Sequence, residues 1–163
     1  MLQKKICMIG AFATGKTSLV ARYVQGIYSD KYQTTVGVKI DKKSVAVGGQ
    51  DLNLILWDIH GEDEFQKIRM SYLRGSAAYI LVVDGTRRDT LGTVFQLQTK
   101  VEDTIGKVPF ITIFNKYDLS QDWEIGEDDL EELSQRQWTY CLGSARTGLG
   151  VEECFIKLAQ MMI

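Results

Sequence analysis

The run Gly10-Ala11-Phe12-Ala13-Thr14-Gly15-Lys16-Thr17 sets two glycines around four residues and follows them with a lysine and a hydroxyl. That spacing, GxxxxGK[ST], suits a backbone that must wrap a phosphate. The glycines let N–H groups approach, the lysine neutralises β and γ oxygens, and the threonine offers its hydroxyl to magnesium. The run stands between an apolar stretch, "KKICMIG", and a segment read as a helix, so Phe12, Ala13, Thr14, Gly15, Lys16, Thr17 and Ser18 are placed around a ligand phosphate. A glycine-rich turn that only joins strand to helix has a similar composition. Even taken as a phosphate loop, the run specifies a nucleoside triphosphate without naming its base.

A second constellation bears on the base. Asn115-Lys116-Tyr117-Asp118 follows the apolar run "VPFITIFN". A carboxylate there can accept both the N1 and N2 protons of guanine. Adenine lacks that donor pair and would leave Asp118 unpaired, at about 1–3 kcal/mol or more for a charged group. Asn and Asp also favour ordinary turns, so it is the combination with the first loop that makes Asp118 the expected base selector. A third stretch, Asp58-Ile59-His60-Gly61-Glu62, puts two acids and the only histidine of the chain around one glycine.

The elements that must hold these groups alternate in type. Six short apolar runs read as strands: "KKICMIG", "VKIDKKSVAV", "DLNLILWD", "AAYILVVDG", "VPFITIFN" and "WTYCLG", the second and third joined by a turn at Gly48-Gly49. Val94, Leu97, Val101 and Ile105 recur at helical spacing, as do Val151, Cys154, Phe155, Leu158 and Met162. Continuous rather than alternating apolar strands imply a sheet covered on both faces. The expected fold is therefore α/β: a three-layer sandwich with a six-stranded, mainly parallel sheet and one antiparallel hairpin edge, its ligands at the carboxyl ends of the strands. The acidic stretch "SQDWEIGEDDLEEL" reads as a solvated loop leading into a short helix.

The 163 residues fit one domain, 1–163, and a net charge of −2 with both signs mixed gives no basic face for nucleic acid or an anionic membrane. Cys7, Cys141 and Cys154 form no CxxC pair and lie in apolar runs, as in a reducing compartment. No signal core, membrane-length apolar run or lipidation motif stands out, so the expectation is a cytoplasmic monomer without a lipid anchor.

Taken in order, "GAFATGKT", "TTVG" around Thr35, "WDIHG", "NKYD" and "GSAR" at Gly143–Arg146 resemble the Ras superfamily of small GTPases over nearly the whole chain. "WDIHGEDEFQKIRMSYLRGSAAYILVVDGT", with Trp57 and Tyr72, is most similar to the Rab branch, although Ile40 stands where that branch usually has an aromatic residue. The resemblance implies the P-loop G-domain fold and a GTP/GDP ligand with Mg2+. Thr17 and Thr35 would supply hydroxyls to the metal, and Asp58 would hold it through water. The Gly61 N–H would meet a γ oxygen. Tyr28 would lie edge-on against guanine, and Ser144, Ala145 and Arg146 would form the loop whose backbone approaches its O6. Loss of the γ-phosphate would release the segments near Tyr28–Gly37 and Ile59–Tyr72, the surface implied for effectors and regulators. Tyr32 either lies over the γ-phosphate or is an exposed loop tyrosine.

Hydrolysis would involve Lys16, Thr35, Gly61 and the residue after Gly61. The family uses glutamine there, and this chain has Glu62. A carboxylate brings negative charge towards the phosphates. Two unit charges about 4 Å apart at an effective dielectric near 20 interact by about 4 kcal/mol, against about 1 kcal/mol for a neutral hydrogen bond. Repulsion implies slow hydrolysis, whereas a carboxyl whose pKa is raised by the phosphates would act as a general base. Phe12 stands where Ras proteins need glycine and would crowd the attacking water unless it turns outward. His60 packs beneath the second switch or donates to a γ oxygen. Two further readings are a GTP-loaded binding module without turnover and an ATP-specific P-loop enzyme.

Overall fold

The computed structural model describes residues 2–28, 38–59 and 70–163. Strand β1 (Leu2–Gly10) runs through the glycine loop into α1 (Lys16–Gln25). β2 (Val38–Val47) and β3 (Gln50–Ile59) form a hairpin. β4 (Ser76–Asp84), α2 (Asp89–Ile105), β5 (Phe110–Asn115), α3 (Glu127–Gln135), β6 (Tyr140–Leu142) and α4 (Val151–Met161) follow, with short 3-10 turns at Met70–Leu73 and Tyr117–Asp122. The sheet order is β2-β3-β1-β4-β5-β6, with β2·β3 antiparallel and the other pairs parallel. This is the α/β sandwich with a hairpin edge that the apolar runs imply.

Alternation along the strands sends neighbouring side chains to opposite faces. Ile6 and Met8 of β1 join Leu54, Leu56, Ile80 and Val82 beneath α1 and α4, where Tyr23 stacks on Phe155 with ring centroids 3.9 Å apart. Cys7 and Ile9 point the other way, into Leu81, Val83, Phe114 and the α2 residues Leu91, Val94 and Val101. Both faces of the central strands are thus dry, which is why those strands carry near-continuous apolar runs, while the edge strand β2 is largely exposed. Cys7, Val82 and Val83 are buried, and all three cysteines are free thiols.

The hairpin turns on Gly48 (φ 58°) and Gly49 (φ 78°), the paired positive angles that a two-residue type I′ connection requires. The acidic stretch does lead into a short helix, α3, but it is not all solvated loop. Ser120–Asp122 belong to a 3-10 turn, and Trp123 packs over Gly85, so closely that a Cβ on the glycine would sit 2.1 Å from the indole. Among the described residues no helix is long and apolar enough to cross a membrane.

Parallel pairing puts the carboxyl ends of five strands on one rim. Gly10 lies beside Val82, Asp58 beside Met8, Asn115 beside Asp84, and Leu142 beside Phe114. The first two sequence constellations and Asp58 of the third therefore meet at one edge of the sheet.

Candidate functional site

The glycine loop is shaped by two places where only hydrogen fits. A Cβ on Gly10 would lie 2.6 Å from the Val82 carbonyl oxygen, and one on Gly15, at φ 101°, would lie 2.2 Å from Asn115 Nδ2. Ala13 also takes a positive φ of 61°. The buried Thr14 hydroxyl donates to Ala11 O at 3.0 Å, closing the loop on itself. Lys16 is buried, and its ammonium donates to Gly10 O at 3.0 Å and Ala11 O at 2.9 Å. Burial, with a smaller contribution from the Arg87 charge, pulls the Lys16 pKa down to about 8 in spite of nearby Asp58. A cation held this dry favours an anionic ligand. α1 adds the N–H groups of its first turn, which carries no acidic side chain. Ser18 lies in that turn, half-buried.

The opposite end of the cleft is stitched to the loop by the Asn115 and Lys116 side chains. Asn115 donates through Nδ2 to Thr14 O at 3.0 Å and accepts through Oδ1 from the Ala145 N–H at 3.1 Å. The Ser144 hydroxyl donates to Asp118 Oδ1 at 2.7 Å and accepts from the Thr147 N–H at 3.1 Å. Lys116, at φ 71°, reaches back to Ala13 O at 3.2 Å. Lys16, Asn115, Lys116, Asp118, Ser144 and Ala145 thus form one network, with Arg146 exposed at its edge.

The sequence model of the Ras family matches residues 5–163. The chain belongs to the Ras family. It is 34% identical to human Ras-related protein Rab-30 over 161 residues, covering 98% of this chain and 79% of that protein. It is 30% identical to Ras-related protein Rab-4A of Homo sapiens (98% and 74% covered) and to Ras-related protein Rab-1 of Theileria parva (97% and 73%). It is a Rab-like small GTPase, in the class of GTP-binding molecular switches.

For a Ras-family site the metal end can be tested on its own atoms. The Thr17 hydroxyl donates to Asp58 Oδ2 at 2.6 Å, and Asp58 is buried at the end of β3. A hydroxyl and a carboxylate in contact are the hard oxygen donors that magnesium takes, with water filling the other positions, so these residues fit the ion. Phe12 is 39% exposed and Tyr28 38% exposed. Tyr32, Thr35, His60, Gly61 and Glu62 lie outside the described residues.

Sequence reasoning missed a polar hub beneath this Ras-family loop. Buried Asp84, the last residue of β4, accepts from Lys116 Nζ at 2.7 Å, Arg87 Nε at 3.1 Å and the Thr86 hydroxyl at 2.7 Å. Burial opposes its ionisation, but the Lys116 and Thr86 hydrogen bonds outweigh that and hold its pKa below the ordinary value. Arg87 also donates to Phe12 O at 2.6 Å. The available signal was position: Asp84 ends a strand at the same rim as Asn115. Its partners were not signalled, nor were those of Arg22, whose Nε donates to Ala145 O at 2.8 Å.

Proposed function

We propose that residues 1–163 form one G domain that binds GTP or GDP with magnesium and hydrolyses GTP slowly. The observation that carries this is the Asn115 side chain, which ties the phosphate loop to the Ala145 backbone and so fixes the distance between phosphate and base subsites. Phe12 to Ser18 surround the phosphates, with Lys16 neutralising them. Asp118 selects guanine through its N1 and N2 protons, the backbone at Ser144–Arg146 meets O6, and Tyr28 and Lys116 flank the base. Thr17 and Asp58, joined by Thr35, hold the ion, which when bound draws charge from the β and γ oxygens.

The γ-phosphate orders the segments carrying Tyr32, Thr35 and Gly61, and the surface that they form meets effector and regulator proteins. Nothing in the site calls for nucleic acid, and a cytoplasmic monomer suits its mixed charge. Slow turnover follows from Glu62 and Phe12, in a phosphoryl-transfer scheme that is itself drawn from this family. Charge repulsion of even about 2 kcal/mol at Glu62 slows the step more than tenfold.

Competition of GDP, GTP and ATP for nucleotide-stripped protein tests the ligand. Equal uptake of ATP would overturn it. Single-turnover phosphate release tests the chemistry, with Glu62→Gln expected to accelerate it. Abolition in that variant makes Glu62 the general base, and no release from either protein over many hours leaves a GTP-loaded binding module.

A further inference from the structure

Arg22 stands in the last turn of α1, half-buried, and its guanidinium is committed to backbone carbonyls. Nε donates to Ala145 O at 2.8 Å and Nη2 to Arg146 O at 2.5 Å, reaching across 123 and 124 residues of chain. Nη1 donates to Gly26 O at 3.2 Å, at the cap of the same helix. Gly148, at φ 88°, brings the returning loop alongside the stem, where a Cβ would make ordinary van der Waals contact with Arg22 Cδ at 3.6 Å. The loop's own bonds restrain its N–H groups: Ala145 to Asn115 Oδ1, Thr147 to Ser144 Oγ, and Gly148 to Ser144 O at 2.8 Å. The carbonyls of Ala145 and Arg146 are restrained from α1.

A trans peptide points its C=O and N–H in opposite directions, and the described chain has no cis bonds. The Ala145 carbonyl and the Arg146 N–H share one peptide. Anchoring the oxygen on Arg22 therefore turns the Arg146 N–H away from α1 and polarises it as a donor. We propose that Arg22 is a positioning residue for base recognition: its guanidinium holds the Ala145–Arg146 peptide so that the Arg146 N–H meets the O6 of guanine. This rests on the guanine ligand proposed above. The planar fork matters as much as the charge, because a lysine ammonium lacks the paired, rigid donors that reach two successive carbonyls.

The test uses GDP and 6-thioguanosine diphosphate, which keeps the N1 and N2 protons but replaces O6 with a weakly accepting sulfur. Arg22→Ala should accelerate GDP release about tenfold or more, and Arg22→Lys, which keeps the charge and most of the stem, by an intermediate factor. The thio analogue should be affected less than about threefold, because its contact to the loop is already weak, so the two perturbations are non-additive. Melting of each variant without nucleotide reports on the fold separately. Unchanged GDP release overturns the proposal, and so does an equal loss for both ligands, which would make Arg22 a general brace. Wild-type protein that shows no preference for GDP over ATP would instead defeat the guanine reading, before any variant is made.

Discussion

Binding of GDP at pH 8.5 should draw a large fraction of a proton onto the protein. Burial lowers the Lys16 pKa to about 8 in the nucleotide-free chain. A phosphate against that ammonium favours its charged form and returns the pKa towards 10 or above. With a free-state pKa of about 8, Lys16 is about one-quarter protonated at pH 8.5, so binding takes up about three-quarters of a proton there and about one-tenth at pH 7. The same arithmetic weakens the affinity about fourfold between pH 7 and pH 8.5. Titration calorimetry in buffers of different ionisation enthalpy reads the uptake directly. Lys16→Arg, whose guanidinium stays charged, should abolish it.

The sign for folding is opposite. Lys16 binds its proton less tightly in the folded state, so the empty protein gains stability as pH rises from about 8 to 10.5, by up to about 3 kcal/mol. An uptake near zero at pH 8.5 in the wild type, or one that survives in Lys16→Arg, would refute the placement of that ammonium against the phosphates.

Three other outcomes are expected. Asp118→Asn removes the carboxylate proposed to pair with N1 and N2 and should erase most of the preference for GDP over ADP in competition binding; a preserved preference would move base selection elsewhere. Gly85→Ala forces a methyl to within 2.1 Å of the Trp123 ring and should cost about 1–3 kcal/mol in denaturant unfolding, whereas an unchanged midpoint would mean that Trp123 can move aside. Burial pushes Tyr23 and Tyr79 up to about 12, so both favour the folded state below pH 10 and lose that contribution as pH rises from 10 through 12. Replacing both with Phe should flatten the alkaline fall in stability, and an identical fall would assign it to other groups.

The parts of the site that could be read from sequence are those whose chemistry is local. Gly10 to Thr17 form a tight loop because their own spacing dictates it, and Asn115 and Asp118 could be placed because a strand end was recognisable before them. The central strands were legible because both of their faces are dry, whereas β2, largely exposed at the edge, was legible from the Gly48-Gly49 turn that joins it to β3. Less legible was the start of α2, which begins at Asp89 although its clear periodicity starts at Val94; Gly92 interrupts the pattern. Trp123 looked like part of a solvated stretch because its partners, Gly85, Phe114, Tyr117 and the Lys116 carbonyl, reach it only through folding. Asp84 and Arg22 escaped notice because their meaning lies in partners that the chain brings together only when folded, Lys116 in one case and Ala145 in the other.

Helix α1 begins with Lys16 and carries Arg22 six residues later, a span of about 9 Å at the ordinary helical rise. Levering the first turn outwards to expel the pyrophosphate would tug on the strap to Ala145, and peeling that strap away would tilt the ammonium. The two halves of a bound nucleotide would then let go in concert. An exchange catalyst gripping either end of this short rod could empty the whole cleft without touching the other.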